Sequence, residues 1–348
     1  MTLQADAARA ANTRKQLLEW FTGDQGENTM RVLMNERPLT AEQLRIAEQT
    51  RRATRPHTYQ PGEVAREQVD ISATARRLAD IARVGTQFAD LFLAEASMCD
   101  LVEQAGPSMP DQPLREDDPI SPYGLVYFQK PLADIGTHLL PIEAMLWYPL
   151  PPQRPASIEE EGICILPWVS TETVARLTDQ REIVGRVPKL YCTASVIWPY
   201  GNKWGQMIKG APPPEGATPE HYQQLLAAFW ALCKQDNVAD QENGPGIKRG
   251  DSRRFANAGI RRPDQPVRIV SLQRRHTTRD PGTTGDSREV EWKHQWWVNG
   301  YWRNTYYSSI DSHRQQYIPG HWKGPEDKPV LGGEKVIAVK APRKRPST

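Results

Sequence analysis

Residues 290–323 read VEWKHQWWVNGYWRNTYYSSIDSHRQQYIPGHWK, a concentration of side chains able to stack, neutralise or transfer protons. Five of the 11 tryptophans, four of the 11 tyrosines and three of the seven histidines fall there, interleaved with Lys293, Arg303, Arg314 and Lys323. Aromatic faces stack on unpaired bases, and Arg and Lys neutralise phosphates, so the combination suits a single-stranded nucleic acid or RNA surface. On that reading Lys293, Arg303, Arg314 and Lys323 contact phosphates, and Trp302, Tyr306 and Trp322 are the stacking platforms. The same stretch holds the groups of a metal-independent endoribonuclease. One of His294, His313 and His321 would take the 2′-hydroxyl proton and another would protonate the leaving oxygen, with Arg303 and Tyr307 beside the phosphate. Strand alternation limits both readings: Trp292 to Trp297 cannot all face one way, so about half of these aromatics are expected in a core.

Other chemistries find less support. Asp311, His313 and His321 are plausible metal ligands by type, but their spacing matches no known pattern. The sequence has no Gly-x-x-x-x-Gly-Lys-Ser/Thr, no Gly-x-Gly-x-x-Gly and no Gly-x-Ser-x-Gly. No metal and no other cofactor is expected. The four cysteines, at 99, 164, 192 and 233, form no Cys-x-x-Cys pair, which excludes a zinc ribbon and reads as reduced thiols in a reducing compartment.

Composition places these residues in an ordinary globular chain. Its 348 residues predict two domains, or one large domain with an extension. Hydrophobic residues make 38% and charged residues 25%; the 30 prolines are the departure. No run of about 18 apolar residues predicts a membrane span, and the first residues do not read as a secretory signal, so a cytoplasmic location is expected. The net charge of +2 conceals a polarity: residues 1–244 sum to −9, and residues 245–348, with 21 Lys/Arg against 10 Asp/Glu, to +11. A basic final third on an acidic body suggests a polyanionic partner for it.

The elements that must position the reactive stretch follow from periodicity. Residues 1–105 read as a helical region. Thr40-Ala41-Glu42-Gln43 fits a capping box for a helix running to the Arg55-Pro56 step. The strongest signal is Ile71, Ala75, Leu78, Ile81, Phe88, Leu91, Phe92, Met98 and Val102, which predicts one long amphipathic helix over 66–105. Its stripe is wide enough for core packing or for a homo-oligomer seam. Residues 106–121, with four prolines and a cluster of acids, read as a linker. An α+β domain is expected over 122–236, with strands near 123–128, 139–147, 163–168 and 190–198 and a helix over 219–236. Residues 237–265 read as a polar loop, and 266–348 as a basic, aromatic-rich β segment that packs with 122–236 or stands alone. The fold class is therefore α+β: N-terminal helices, then a mixed or antiparallel sheet region.

Asn299-Gly300-Tyr301-Trp302-Arg303-Asn304, His313-Arg314, Tyr317-Ile318 and His321-Trp322-Lys323-Gly324-Pro325 together resemble the C-terminal signature of a family of uncharacterised proteins of actinobacteria, their phages and mobile elements. Residues 121–126 and 267–274 also resemble family segments. The family's motif runs Gly-His-Trp-Arg, and Tyr301 stands here in place of the histidine. The resemblance implies a setting, a phage or accessory genome acting inside a host cell, rather than a reaction. Three function classes follow: a nucleic-acid-binding protein with a regulatory role, a ribonuclease or toxin-like enzyme, and a protein that acts on a host partner.

Overall fold

The structure, a computed structural model, describes residues 3–33, 40–132, 140–151, 161–177, 190–203, 219–273, 295–309 and 311–323. The chain divides into two units, Met1–Arg274 with Trp302–Tyr317, and Arg275–Tyr301 with Ile318–Thr348.

The first unit is organised by one sheet in which successive side chains serve opposite faces. Its strands are β1 (Asp90–Ala94), β2 (Gly124–Leu132), β3 (Ile142–Leu150), β4 (Gly162–Ser170), β5 (Leu190–Cys192), β6 (Val196–Pro199), β7 (Ala239–Asn243) and β8 (Arg268–Leu272). The order is β5-β4-β3-β2-β1-β8-β7, with β6 also paired to β4. β1 runs parallel to β2 and to β8, and the other pairings are antiparallel. Phe92, Val126, Met145, Trp147 and Ile165 enter one core, together with α5 (Ala96–Ala105) and α7 (Pro219–Cys233). Their neighbours Leu91, Leu93, Leu125, Leu146, Tyr148 and Leu166 enter a second core on the opposite face, with α1 (Leu3–Thr22) and α4 (Glu63–Phe88). The period of two along each strand thus supplies two apolar faces, and helices cover both. Trp147 shows how tight the first core is: a Cβ at Gly124 would stand 2.0 Å from its ring, so only glycine fits opposite it. The indole N–H donates to the Ser121 carbonyl at 2.8 Å.

The fold class is α+β, helices first and then a mixed sheet. Several boundaries differ from expectation. The single helix expected over 66–105 is α4, then β1, then α5. Asp90-Leu-Phe-Leu-Ala94 is apolar without alternation because β1 is buried on both faces between parallel neighbours, and such a run satisfies a helical pattern equally well. Of the stripe's residues on α4, Ala75 is buried in the second core and Leu78 and Ile81 pack against it partly buried, while Phe88 is 43% exposed. The polar loop expected over 237–265 contains β7 and α8 (Arg249–Asn257). β7 is an edge strand with four of its five residues exposed, so it lacks the apolar alternation that marks strands. The capping box at Thr40 and Gln43 forms, and it starts α3 (Ala41–Thr54), a helix with no buried residue. α2 (Asp24–Leu33) packs with α1 and α4, and α6 (Thr171–Leu177) follows β4 directly. Among the described residues no helix is long and apolar enough to cross a membrane.

Candidate functional site

The aromatic segment contributes a hairpin to the first unit: β10 (Tyr301–Tyr307) pairs with β11 (Ser312–Ile318) across a tight turn. Asp311 occupies the turn with φ 46°, a left-handed conformation that aspartate tolerates better than most residues. Trp302, expected as a stacking platform, anchors the hairpin instead. Its Nε1–H donates to the Ala105 carbonyl at the end of α5, at 2.9 Å. Its ring meets Tyr317 at 5.1 Å with the planes 60° apart, and Tyr317 is buried in the first core. Burial also raises the Tyr317 phenol above the ordinary tyrosine value.

The segment read as a linker is what the hairpin is fastened to. Leu114 is buried, its N–H donates to the Asn202 carbonyl, and its carbonyl accepts from Gly201. Asp118 accepts from the Arg115 N–H at 2.8 Å and closes a small turn. Arg314 of β11 forms an ion pair with Asp117, and Arg115 Nη1 reaches Ser312 Oγ and the His313 carbonyl at 3.5 Å each. Lys234, just past α7, donates to the carbonyls of Asp117 and Asp118. Desolvation pulls the Lys234 ammonium below the ordinary lysine value although part of the side chain stays open to solvent, and the charge of Asp118 opposes the fall. Burial raises the Asp118 carboxyl, against the Arg115 N–H and the charge of Lys234.

Two faces result. Outward, Tyr306 is 53% exposed and its ring lies 5.2 Å from that of His313. The Tyr306 hydroxyl donates to Asp311 at 2.6 Å, which raises its pKa above the ordinary value. On the other side of β10, Arg303 donates to Thr305 Oγ1 at 3.1 Å and Gln316 Oε1 at 3.0 Å, two neutral oxygens that orient the cation without cancelling its charge. Inward, Tyr307, His313 and Arg314 line a cavity of about 340 Å³ shared with Arg115 and Asp118 of the 109–118 segment and with Trp230, Lys234 and Gln235 around the end of α7. The indoles of Trp198 and Trp230 lie nearly parallel, 8° apart, with centroids at 6.5 Å.

In the second unit β9 (Trp296–Val298) pairs antiparallel with β12 (His321–Lys323). Trp322 lies opposite Trp297 in the ladder, and Lys323 Nζ stands 5.9 Å from the centre of the Trp296 ring. The Trp297 ring rests against Gly320, where a Cβ would stand 2.5 Å from it. His321 is exposed, with Nδ1 3.1 Å from the Pro319 carbonyl, a contact that favours the Nδ1-protonated tautomer. Lys293 and His294 lie outside the described residues.

The structure therefore pairs Tyr306 with His313 on one side of the hairpin, sets Arg303 with Thr305 and Gln316 on the other, and brings Tyr307, His313 and Arg314 to one cavity. As lined by the described residues, the cavity contains one histidine, so it does not assemble the two-histidine arrangement of a ribonuclease. Asp311 of the suggested metal set is engaged by Tyr306, and the described residues hold no group of three His, Cys, Asp or Glu that could bind a metal ion. Sequence reasoning missed Arg115, Asp117, Asp118, Trp230, Lys234 and Gln235. The acids at 116–118 stood out as a cluster, but nothing local tied them to residues about two hundred positions later.

The chain matches no protein-family model and no curated protein. Among solved structures it is similar to one titled the crystal structure of AcrVA2, at 12% identity and a TM-score of 0.37, covering 92% of this chain and 99% of that one. A likeness at that score carries no argument about fold or function.

Proposed function

We propose that this protein binds single-stranded nucleic acid, RNA or DNA, through the exposed side chains of the β10–β11 hairpin. The observation that carries the reading is the solvent-facing Tyr306–His313 ring pair with the Arg303 guanidinium held on the same hairpin by neutral partners. Exposed rings of this kind accept any base by stacking, and a cation on the same hairpin meets the backbone where the strand passes its edge. Lys323 and Trp296 of the second unit are further candidate contacts of the same chemistry. The setting belongs to the same proposal: a phage or mobile-element protein, acting in the host cytoplasm in a regulatory role, as the C-terminal resemblance implies.

The test is fluorescence anisotropy of the full chain with labelled single-stranded RNA, single-stranded DNA and duplex DNA across a salt series. Single strands are expected to bind, with affinity falling by a log–log slope of about 0.7 per phosphate contacted. Tyr306→Ala is expected to weaken binding at least about fivefold, the lower end of a stacking contribution. Arg303→Ala should both weaken binding and flatten the salt slope. Unchanged affinity in both variants, or no binding of any strand at low salt, would refute the proposal and move attention to a protein partner.

A further inference from the structure

A second set of unanswered cations lies on α8. From Lys248 to Arg262 the sequence has six Lys or Arg and one acid, Asp251. Two of the six are engaged: Arg254 pairs with Asp251, and Arg262 lies 3.8 Å from Asp90. The other four, Lys248, Arg249, Arg253 and Arg261, are exposed, and among the described residues none of their side-chain charges meets an acid or a hydrogen-bond acceptor. The helix sets them in a row. Phe255 is buried in the second core and fixes which side of α8 faces the sheet. At about 3.6 residues per turn, Arg249 and Arg253 fall on the opposite side, one turn apart, with Ala256 and Asn257 and no acid beside them. Lys248 stands at the start of the helix as its N-cap. At the other end Gly259 turns the chain with φ 90°, a conformation suited to glycine, and the Ile260 N–H donates to the Phe255 carbonyl at 3.0 Å. That turn delivers Arg261 to the end of α4, where its guanidinium lies 5.9 Å from the centre of the Phe88 ring. Phe88 is 43% exposed, with its ring centroid 5.9 Å from that of Tyr123.

The arrangement narrows the kind of partner. Like charges one turn apart weaken a helix, so the row is a feature that the fold leaves uncompensated and an anion relieves. A single small anion meets one or two of these groups, whereas a polymer of regularly repeated negative charge meets the whole row. The exposed Phe88 ring favours nucleic acid over an acidic peptide, since a base stacks on a ring face and the electron-rich face repels a carboxylate. The surface is distinct from the hairpin. Phe255 and Ile260 belong to the second core and Tyr317 to the first, on opposite sides of the sheet. Each layer packed on a sheet adds about 10 Å, so about 20 Å or more of protein separates the two surfaces.

We propose that α8, with Arg261 and Phe88 at its C-terminal end, is a second nucleic-acid contact, one that holds the phosphate backbone on the side of the sheet away from the hairpin. Choosing nucleic acid among polyanions rests in part on the reading of the hairpin; the row of free cations does not.

The test is fluorescence anisotropy of the full chain with a labelled strand of about 40 nucleotides, longer than the site size of one surface, across a salt series. Arg249→Gln with Arg253→Gln replaces two exposed cations by good helix formers, so the helix is kept. The double variant is expected to weaken binding at least about tenfold at low salt and to lower the log–log slope by about 1.4, two phosphate contacts at about 0.7 each. Arg249→Lys with Arg253→Lys keeps the charge and should stay within about threefold of the wild type, because lysine also meets phosphate as a point charge. Photocrosslinking of a thiouridine-substituted strand should label the peptide that contains Phe88 as well as the hairpin. Unchanged affinity and slope in the glutamine variant, while Tyr306→Ala still weakens binding, overturns the inference and leaves the hairpin reading standing. The reverse pattern upholds the α8 contact and refutes the hairpin. An equal loss in the lysine variant shows that charge is not the cause and also overturns it. Capture of labelled polyglutamate through the two arginines, with no strand bound, puts an acidic protein segment in place of nucleic acid, and no binding of either polymer overturns both readings.

Discussion

Trp302→Ala tests whether this tryptophan is an anchor or a ligand platform. The substitution removes the hydrogen bond to the Ala105 carbonyl, a contribution of about 1 kcal/mol. It also removes the tilted contact with Tyr317, about 0.5–1.5 kcal/mol beyond area burial. Because the indole is only half-buried, the lost apolar burial adds about 1 kcal/mol rather than the full value for a core side chain. The sum, about 3 kcal/mol, falls on a hairpin whose other described ties to the body include the Arg314–Asp117 pair and the long contacts of Arg115. The expected result is local opening, with hydrogen exchange at residues 302–317 accelerated by about two orders of magnitude in the absence of any ligand. Trp302→Phe keeps the ring contact, loses only the hydrogen bond, and should show about a third of that destabilisation, an acceleration of about fivefold. Nucleic-acid affinity, measured in parallel, should fall with Trp302→Ala and largely survive Trp302→Phe. Unchanged exchange across 302–317 in the alanine variant would refute the anchoring argument and return Trp302 to the set of ligand contacts.

Gly124→Ala places a methyl group 2.0 Å from the Trp147 ring, and because that ring is enclosed it cannot swing away. A loss of about 3 kcal/mol or failure to fold is expected in urea unfolding, the upper end of overpacking penalties. The Asp118 carboxyl has a folded-state pKa above its unfolded value, chiefly through burial. Folding therefore takes up a proton between the two values, and this contribution is complete below the ordinary aspartate range and is lost as pH rises through the raised value. Asp118→Asn removes that loss, so its melting temperature should gain on the wild type at neutral pH and converge with it in acid. A gap that is constant with pH would count against the burial argument.

Legibility followed the range of the signal. The Thr40–Gln43 capping box and the start of α7 at Pro219 are local patterns and form as read. β3 and β4 were visible as strands because β-forming apolar residues run through them, Met145 to Tyr148 and Ile163 to Trp168. β1 was hidden because a strand buried on both faces loses the alternation that distinguishes it from a helix, and its residues also continued the spacing of α4. β7 was hidden for the opposite reason, since an edge strand exposes almost everything. In the reactive stretch the sequence identified residue types but not the direction each one faces. Trp302 and Tyr306 look equivalent on paper and share one side of β10; Trp302 is pinned to the end of α5, while Tyr306, four residues nearer the turn, faces water. The partners that complete the cavity were out of reach, since Asp117 meets Arg314 across 197 residues.

The charge polarity acquires a different meaning once these contacts are in place. A basic final third on an acidic body looks like an arm held out for a polyanion, but part of that charge is answered within the chain. Arg314 is paired with Asp117, and Arg262 and Arg268 lie within 3.8 and 3.6 Å of Asp90. These cations hold late segments onto the early sheet, and charges so engaged release few counterions when a strand binds. Arg303 differs because its described partners are neutral, so it keeps a charge that a phosphate can use. The argument for nucleic-acid binding by the hairpin therefore rests on that one hairpin carrying both an exposed ring pair and an unanswered charge, and the excess of basic residues in the final third adds little to it.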